Sequence, residues 1–223
     1  MSFEITNYWM VDDFIIFFLC CSFFDTILLY LTGPKARWFK LHACYNMFIV
    51  GSTISDIYDI IIEPSDGLTY KDTSVGSAVL TLHLYHCLFF NLKRIDYYHH
   101  IISVFFPILL IPNIKYKFTS LYYFNMCGLP GGIDYFCLIF VKQKKMKKNT
   151  QKYISSLTNA YIRIPLGIVA CCFNYKAVLM ETDIVIILSL IMMGIIIYNN
   201  VIVFGKLAIE NYVENTYLSI KQD

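Results

Sequence analysis

The sequence predicts an all-α, polytopic transmembrane helix bundle. Three observations carry this: 57% of the 223 residues are hydrophobic and 15% charged, mean hydropathy is +0.56, and long apolar runs recur along the chain at the length that crosses a bilayer core as helix. About seven such runs can be read, each roughly 16 to 23 residues long. They are Asp13 to Leu31, Leu41 to Ile62, Val75 to Leu92, Tyr97 to Ile111, Phe118 to Val141, Ile154 to Phe173 and Ile184 to Phe204. The fourth is short and carries Pro107 and Pro112, so a six-span count stays open.

The intervening segments orient the bundle, because Lys and Arg are retained on the cytosolic side. GPKARWFK carries Lys35, Arg37 and Lys40, NLKRID carries Lys93 and Arg94, and KQKKMKKNTQK carries Lys142, Lys144, Lys145, Lys147, Lys148 and Lys152. Alternating with them are EPSDGLTYKD, with Glu63, Asp66 and Asp72 against one lysine, NIKYK, with Lys115 and Lys117, and NYKAVLMETD, with Lys176 against Glu181 and Asp183. With seven spans, residues 1–12 form a non-cytosolic N-terminus, 13–204 the membrane domain and 205–223 a cytosolic tail. The flank of the first span is acidic, so no cleavable signal peptide is expected. The Lys142 to Lys152 loop could also touch anionic headgroups, although a topology determinant suffices to explain it. All eight cysteines lie in apolar segments and are expected to be small buried hydrophobes rather than disulfides.

Four of the five histidines, His83, His86, His99 and His100, fall in the window LHLYHCLFFNLKRIDYYHH. His83 and His86 share a helix face. His86 is expected roughly 8 Å inside the cytosolic end of its span, and His99 and His100 roughly 5 to 6 Å inside the same end of the next. Asp96 stands three and four residues before the pair, where its carboxylate could accept a ring N–H and fix a tautomer. His42 is expected to be isolated. A metal is the first competitor, for example one zinc on His83, His86 and one of the pair, but five histidines are too few for a membrane di-iron site; no metal is assigned. Hydrogen bonding within the bundle would also account for His83 and His86.

In the run CGLPGGIDYF, Gly128, Pro130, Gly131 and Gly132 should break or loosen the fifth span. Asp134 then lies roughly 10 Å from its cytosolic end, and Arg163 near the middle of the sixth span. Asp134 and Asp25 are the candidate partners of Arg163; a structural ion pair and the binding of an acidic ligand are both open. Asp56 and Asp59 are read as a wet face at the non-cytosolic end of the second span.

DYYHH at Asp96 to His100, GLPGGIDY about 30 residues later and YIRIPLG around Arg163 resemble the TLC (TRAM-LAG-CLN homology) domain family, and the resemblance covers most of the chain. It implies a barrel-like helical bundle of the endoplasmic reticulum membrane with a histidine pair at a central cavity. It includes the ceramide synthases, which implies movement of a fatty acyl group from acyl-CoA to the amine of a sphingoid base. His99 and His100 would act as acyl carrier or base, with Asp96 stabilising the imidazolium. No cofactor is implied beyond acyl-CoA as co-substrate, whose phosphates Lys93 and Arg94 could meet. His83, His86, Asp134 and Arg163 complete the candidate substrate-binding set. The chain departs from the synthases at FNMCGLPGGID, where Met126 and Cys127 stand about where they carry a His-Asp. The alternative is therefore a non-catalytic lipid-binding regulator of membrane lipid composition. A small-solute transporter ranks below both because inverted repeats are not visible. Nucleic-acid binding has no support, since the basic residues are loop-bound; membrane lipids are the expected partners, and an oligomer is compatible with the sequence.

Overall fold

The structure is a computed structural model that describes residues 8–71, 74–102, 106 and 114–220. Among the described residues every named element is a helix. Seven are used below: α1 (Tyr8–Thr32), α2 (Arg37–Ile62), α3 (Val75–Phe89), α4 (Arg94–His100), α5 (Thr119–Lys142), α6 (Lys148–Met180) and α7 (Ile184–Ile220). Among the described residues four stretches are long and apolar enough to cross a membrane, namely Asp12–Thr32, Thr119–Lys142, Lys148–Met180 and Ile184–Tyr217. The helix α2 is long but carries Arg37, Lys40, Asp56 and Asp59, and α3 is apolar but only 15 residues long. Most of the expected fourth span, 103–105 and 107–113, lies outside the described residues.

Apolar side chains cover much of the outside. Ile15, Ile16, Leu19 and Phe23 on α1 and Ile184, Leu188, Ile195 and Tyr198 on α7 are all exposed, as expected where hydrocarbon rather than water is the solvent. Inside, Phe118, Tyr123, Leu190, Met193 and Ile197 form one core cluster, and Cys21, Leu41, Tyr45, Leu82 and Tyr85 a second. The bundle pairs α1 with α3, α2 with the second half of α5, and α6 with α7.

The connections are capped by polar groups. The α1 helix ends at Gly33, whose φ of +69° suits a residue without Cβ. Lys40, buried on α2, donates from Nζ to the carbonyls of Thr32 and Gly33 at 3.1 and 3.2 Å, satisfying the last carbonyls of α1. At the opposite end Tyr70 and Tyr116 form an isolated antiparallel bridge. Between α6 and α7, the backbone N–H groups of Thr182 and Asp183 donate to Glu181 at 2.8 and 3.2 Å, and Asp183 accepts from Val185 N–H at 2.7 Å as the cap of α7.

The glycine and proline run loosens α5 without ending it. Residues Phe124–Gly128 form a π turn, and the N–H of Leu129 donates to the carbonyl of Phe124, five residues back. Pro130 follows at the second position of the resumed α-helix. A proline lacks an N–H and its ring collides with the carbonyl four residues earlier, so one extra residue in the preceding turn lets the helix continue. The same device recurs in α6: Asn159–Arg163 is a π turn, Ile164 N–H donates to the Asn159 carbonyl, and Pro165 follows.

Two expectations about acids are corrected. Asp25 is 1% exposed and is held by Arg37, with Nε 2.8 Å from Oδ1, and by the Tyr85 hydroxyl at 2.7 Å, rather than by Arg163; the α1–α2 turn brings Arg37 to it first. Asp56 is not on a wet face: it is buried, accepting from Lys71 at 2.6 Å and from Ser120. Asp59 pairs with Lys117 at 2.8 Å. The cysteines are all free, but Cys20, Cys44, Cys87 and Cys172 are exposed, since they fall on outward faces of apolar helices rather than in the core.

Candidate functional site: a histidine cluster on a polar cavity

All five histidines come together. On α3, the Nδ1 of His83 is 2.7 Å from the Val79 carbonyl, and its Nε2 is 3.2 Å from His99 Nε2. His86, one turn on, has Nδ1 3.3 Å from His100 Nε2. The i, i+3 spacing of the first pair thus faces the adjacent pair on α4. His42 is not isolated: from α2 its ring lies 5.8 Å from that of His83 and stacks on Tyr135 of α5 at 3.9 Å. The reason is that α2 packs against the second half of α5, which carries His42 to the end of the bundle where α3 and α4 meet. Trp38 stacks on His86 with centroids 3.6 Å apart and planes 15° from parallel.

The contacts determine where the protons sit. A carbonyl only accepts, so His83 Nδ1 carries the hydrogen donated to Val79. In the neutral ring Nε2 then has the lone pair, and the 3.2 Å contact requires His99 Nε2 to donate. A neutral His99 therefore keeps its free lone pair on Nδ1, a buried atom with no hydrogen-bond partner among the described residues. Two imidazolium rings could not make this contact, because each would only donate.

Asp96 does something other than orient a histidine. Its carboxylate accepts from Lys93 N–H at 2.7 Å and caps α4. Among the described residues the hydrogen-bond partners of the His99 and His100 rings are other histidines and Cys87, whose Sγ is 3.0 Å from His100 Nδ1.

Behind the cluster lies a cavity of about 690 Å³, within the ~300–1,000 Å³ usual for ligand sites. His42, His83, His86, His99, Asp96 and Lys93 line it; His100 and Arg94 do not. Lys142 and Lys152 also line it, so part of the strongly basic loop belongs to the site, and exposed Lys93 and Lys142 mark where it reaches the surface. Deeper in, Asn46, Asn159 and Arg163 line it with Asp134. The two π turns deliver this wall: Met126 and Cys127 come from one, Asn159 and Arg163 from the other. Asn46 is wholly buried, and among the described residues neither its amide atoms nor Arg163 Nε has a hydrogen-bond partner. Asp134 accepts from Gln151 at 2.6 Å, and among the described residues no ion pair joins it to Arg163. Gly131 admits Asn46: a Cβ there would stand 2.8 Å from Asn46 Nδ2.

Sequence reasoning missed His42, Trp38, Asn46, Tyr135 and Cys87. The signal available for Cys87 was its place one residue after His86; for His42 and Asn46, four apart on one face of α2, it was polarity inside an apolar run. Among the described residues no group of three or more His, Cys, Asp or Glu side chains is placed to hold a metal ion. No protein family, curated protein or solved structure matches the chain.

Proposed function

We propose that this protein is a TLC-type membrane protein of lipid metabolism that transfers a fatty acyl group from acyl-CoA to a lipid amine such as a sphingoid base. The observation that carries the reading is the free Nδ1 of His99, held by His83 in a ring that lines the cavity. As the amine attacks the thioester carbonyl, Nδ1 takes its proton and then returns it to the departing thiolate. The second ring nitrogen stays on His83 throughout, so the base is positioned before substrate arrives. Lys93, Lys142 and Lys152 supply positive charge for the coenzyme phosphates at the cavity surface. Arg163, Asn46 and Asn159 supply hydrogen bonds for a polar headgroup deeper in, where unpaired buried groups need partners.

The same reading takes the bundle as barrel-like with six or seven spans in the endoplasmic reticulum membrane, N-terminus non-cytosolic and C-terminus cytosolic. The concentration of lysines at the cluster's end supports a cytosolic donor site. Expression of the protein in cells should raise N-acylated lipids, and His99→Ala should abolish the change; an equal change with the variant refutes the histidine mechanism.

A second reading, lipid binding without turnover, is favoured by Met126 and Cys127, which bring neither an imidazole nor a carboxylate to the cavity wall. Conversion of bound acyl-CoA to a new lipid by the purified protein would end it.

A further inference from the structure

We propose that Cys87 is an acylation site: its thiol takes the fatty acyl group from acyl-CoA, with His100 as general base and His86 positioning His100. The inference rests on the reading of acyl-CoA as donor and goes beyond it by naming a covalent carrier that is not a histidine.

Three contacts carry it. Cys87 Sγ lies 3.0 Å from His100 Nδ1. His100 Nε2 lies 3.3 Å from His86 Nδ1. His86 is buried and pinned by its stack on Trp38. A nucleophile, a base within hydrogen-bond reach and a third group that orients the base make the arrangement that activates thiols and hydroxyls. If the thiol hydrogen points at Nδ1 of His100, that ring carries its own hydrogen on Nε2, which His86 Nδ1 accepts; every hydrogen in the chain is then used.

The position suits the donor. Cys87 is exposed, two residues before the end of α3, hence roughly 3 Å from it. Leu84, Leu88 and Phe89 around it are exposed apolar side chains against which an acyl chain can lie. Lys93 and Arg94, both exposed, follow at the start of α4 and offer charge to the coenzyme phosphates. Arg94, which does not line the cavity, has a role at this outer site.

The step balances without any redox partner. The S–H proton passes to His100 Nδ1 as sulfur attacks the acyl carbonyl; the bond from that carbonyl to the coenzyme sulfur breaks; His100 returns the proton to the coenzyme thiolate. One thioester and one thiol give another thioester and thiol.

The test is incubation of the full-length purified protein with palmitoyl-CoA, followed by peptide mapping under conditions that preserve thioesters. Cys20, Cys44 and Cys172 are internal controls: they are exposed on apolar helices, and among the described residues no histidine nitrogen lies within hydrogen-bond distance of them. The expected result is one palmitoyl group on Cys87, little on the controls, and a loading rate about 10²-fold lower in His100→Gln. Loading spread evenly over the four exposed cysteines overturns the proposal, as does an unchanged rate in His100→Gln. Loading of Cys87 without any N-acylated product supports this inference while the proposed transfer to an amine fails. Product formed at the full rate by a folded Cys87→Ala variant overturns this inference and leaves the proposed function standing.

Discussion

His83 Nε2 and His99 Nε2 meet at 3.2 Å, and the Val79 carbonyl on the far side of His83 fixes which of the two donates. The consequence is an imidazole, His99, whose remaining nitrogen is a lone-pair site without a partner among the described residues. Replacing His99 by alanine removes the base and should lower acyl transfer by about 10²–10⁴-fold. His83→Ala leaves the base but frees its orientation, so it should lower kcat less and leave KM for acyl-CoA unchanged; steady-state kinetics of the two variants distinguish a base from a positioning residue.

The Asp25–Arg37 pair, whose carboxylate is buried while its guanidinium is part-exposed, should be among the stronger polar contributors to stability. Arg37→Ala leaves the carboxylate, 1% exposed, with the Tyr85 hydroxyl alone, and should destabilise by about 3 kcal/mol. Lys206→Ala, which removes an exposed i, i+4 pair with Glu210, should change stability by less than about 0.5 kcal/mol. Thermal unfolding in detergent micelles compares them, and similar melting temperatures for the two variants contradict the assignment.

Gly131→Ala should disturb the cavity wall, because the new Cβ would stand 2.8 Å from the amide of Asn46, a wholly buried side chain that would have to turn further into the cavity it lines. A loss of about 1–3 kcal/mol is expected. Gly51→Ala on the same face-to-face partner, α2, meets open space and should gain about 0.5–1 kcal/mol by stiffening the helix. The sign difference between the two is the readout.

Outside the membrane segments, Glu181 is the acid with the clearest pH consequence. Hydrogen bonds from the Thr182 and Asp183 backbones, then from the Tyr116 hydroxyl, hold its carboxyl below the ordinary value of 4.5. A folded value below the unfolded one means stability that is complete above about pH 4.5 and lost as pH falls through the folded value. Glu181→Gln should therefore unfold at a lower temperature than wild type at pH 7 and lose that deficit in more acidic buffer. A deficit that is the same at both pH values contradicts the linkage.

Much of the architecture was legible because hydropathy reads the solvent directly: α1, α5, α6 and α7 were visible as apolar runs. The shared face of His83 and His86 followed from helical periodicity, and the common depth of His86, His99 and His100 from the 1.5 Å rise. What was hidden depended on helix neighbours. Nothing local in α2 tells that it packs on α5, so His42 looked isolated although it stacks on Tyr135. Arg163 looked like a partner for Asp25, but Arg37 reaches that acid across a short turn. The run from Gly128 to Gly132 suggested a break or a loosening, and the loosening takes the form of a π turn, which periodicity does not announce. Asp96 was read as an orienter of histidine, but a backbone N–H three residues before it offered a nearer partner.

The most direct measurement is mass spectrometry of the products formed by purified wild type and His99→Ala with palmitoyl-CoA and a sphingoid base. An N-acylated base made by the wild type and lost with His99 is the predicted result. Product made equally by the variant, or no product from a wild type that still binds acyl-CoA, contradicts acyl transfer by the histidine cluster.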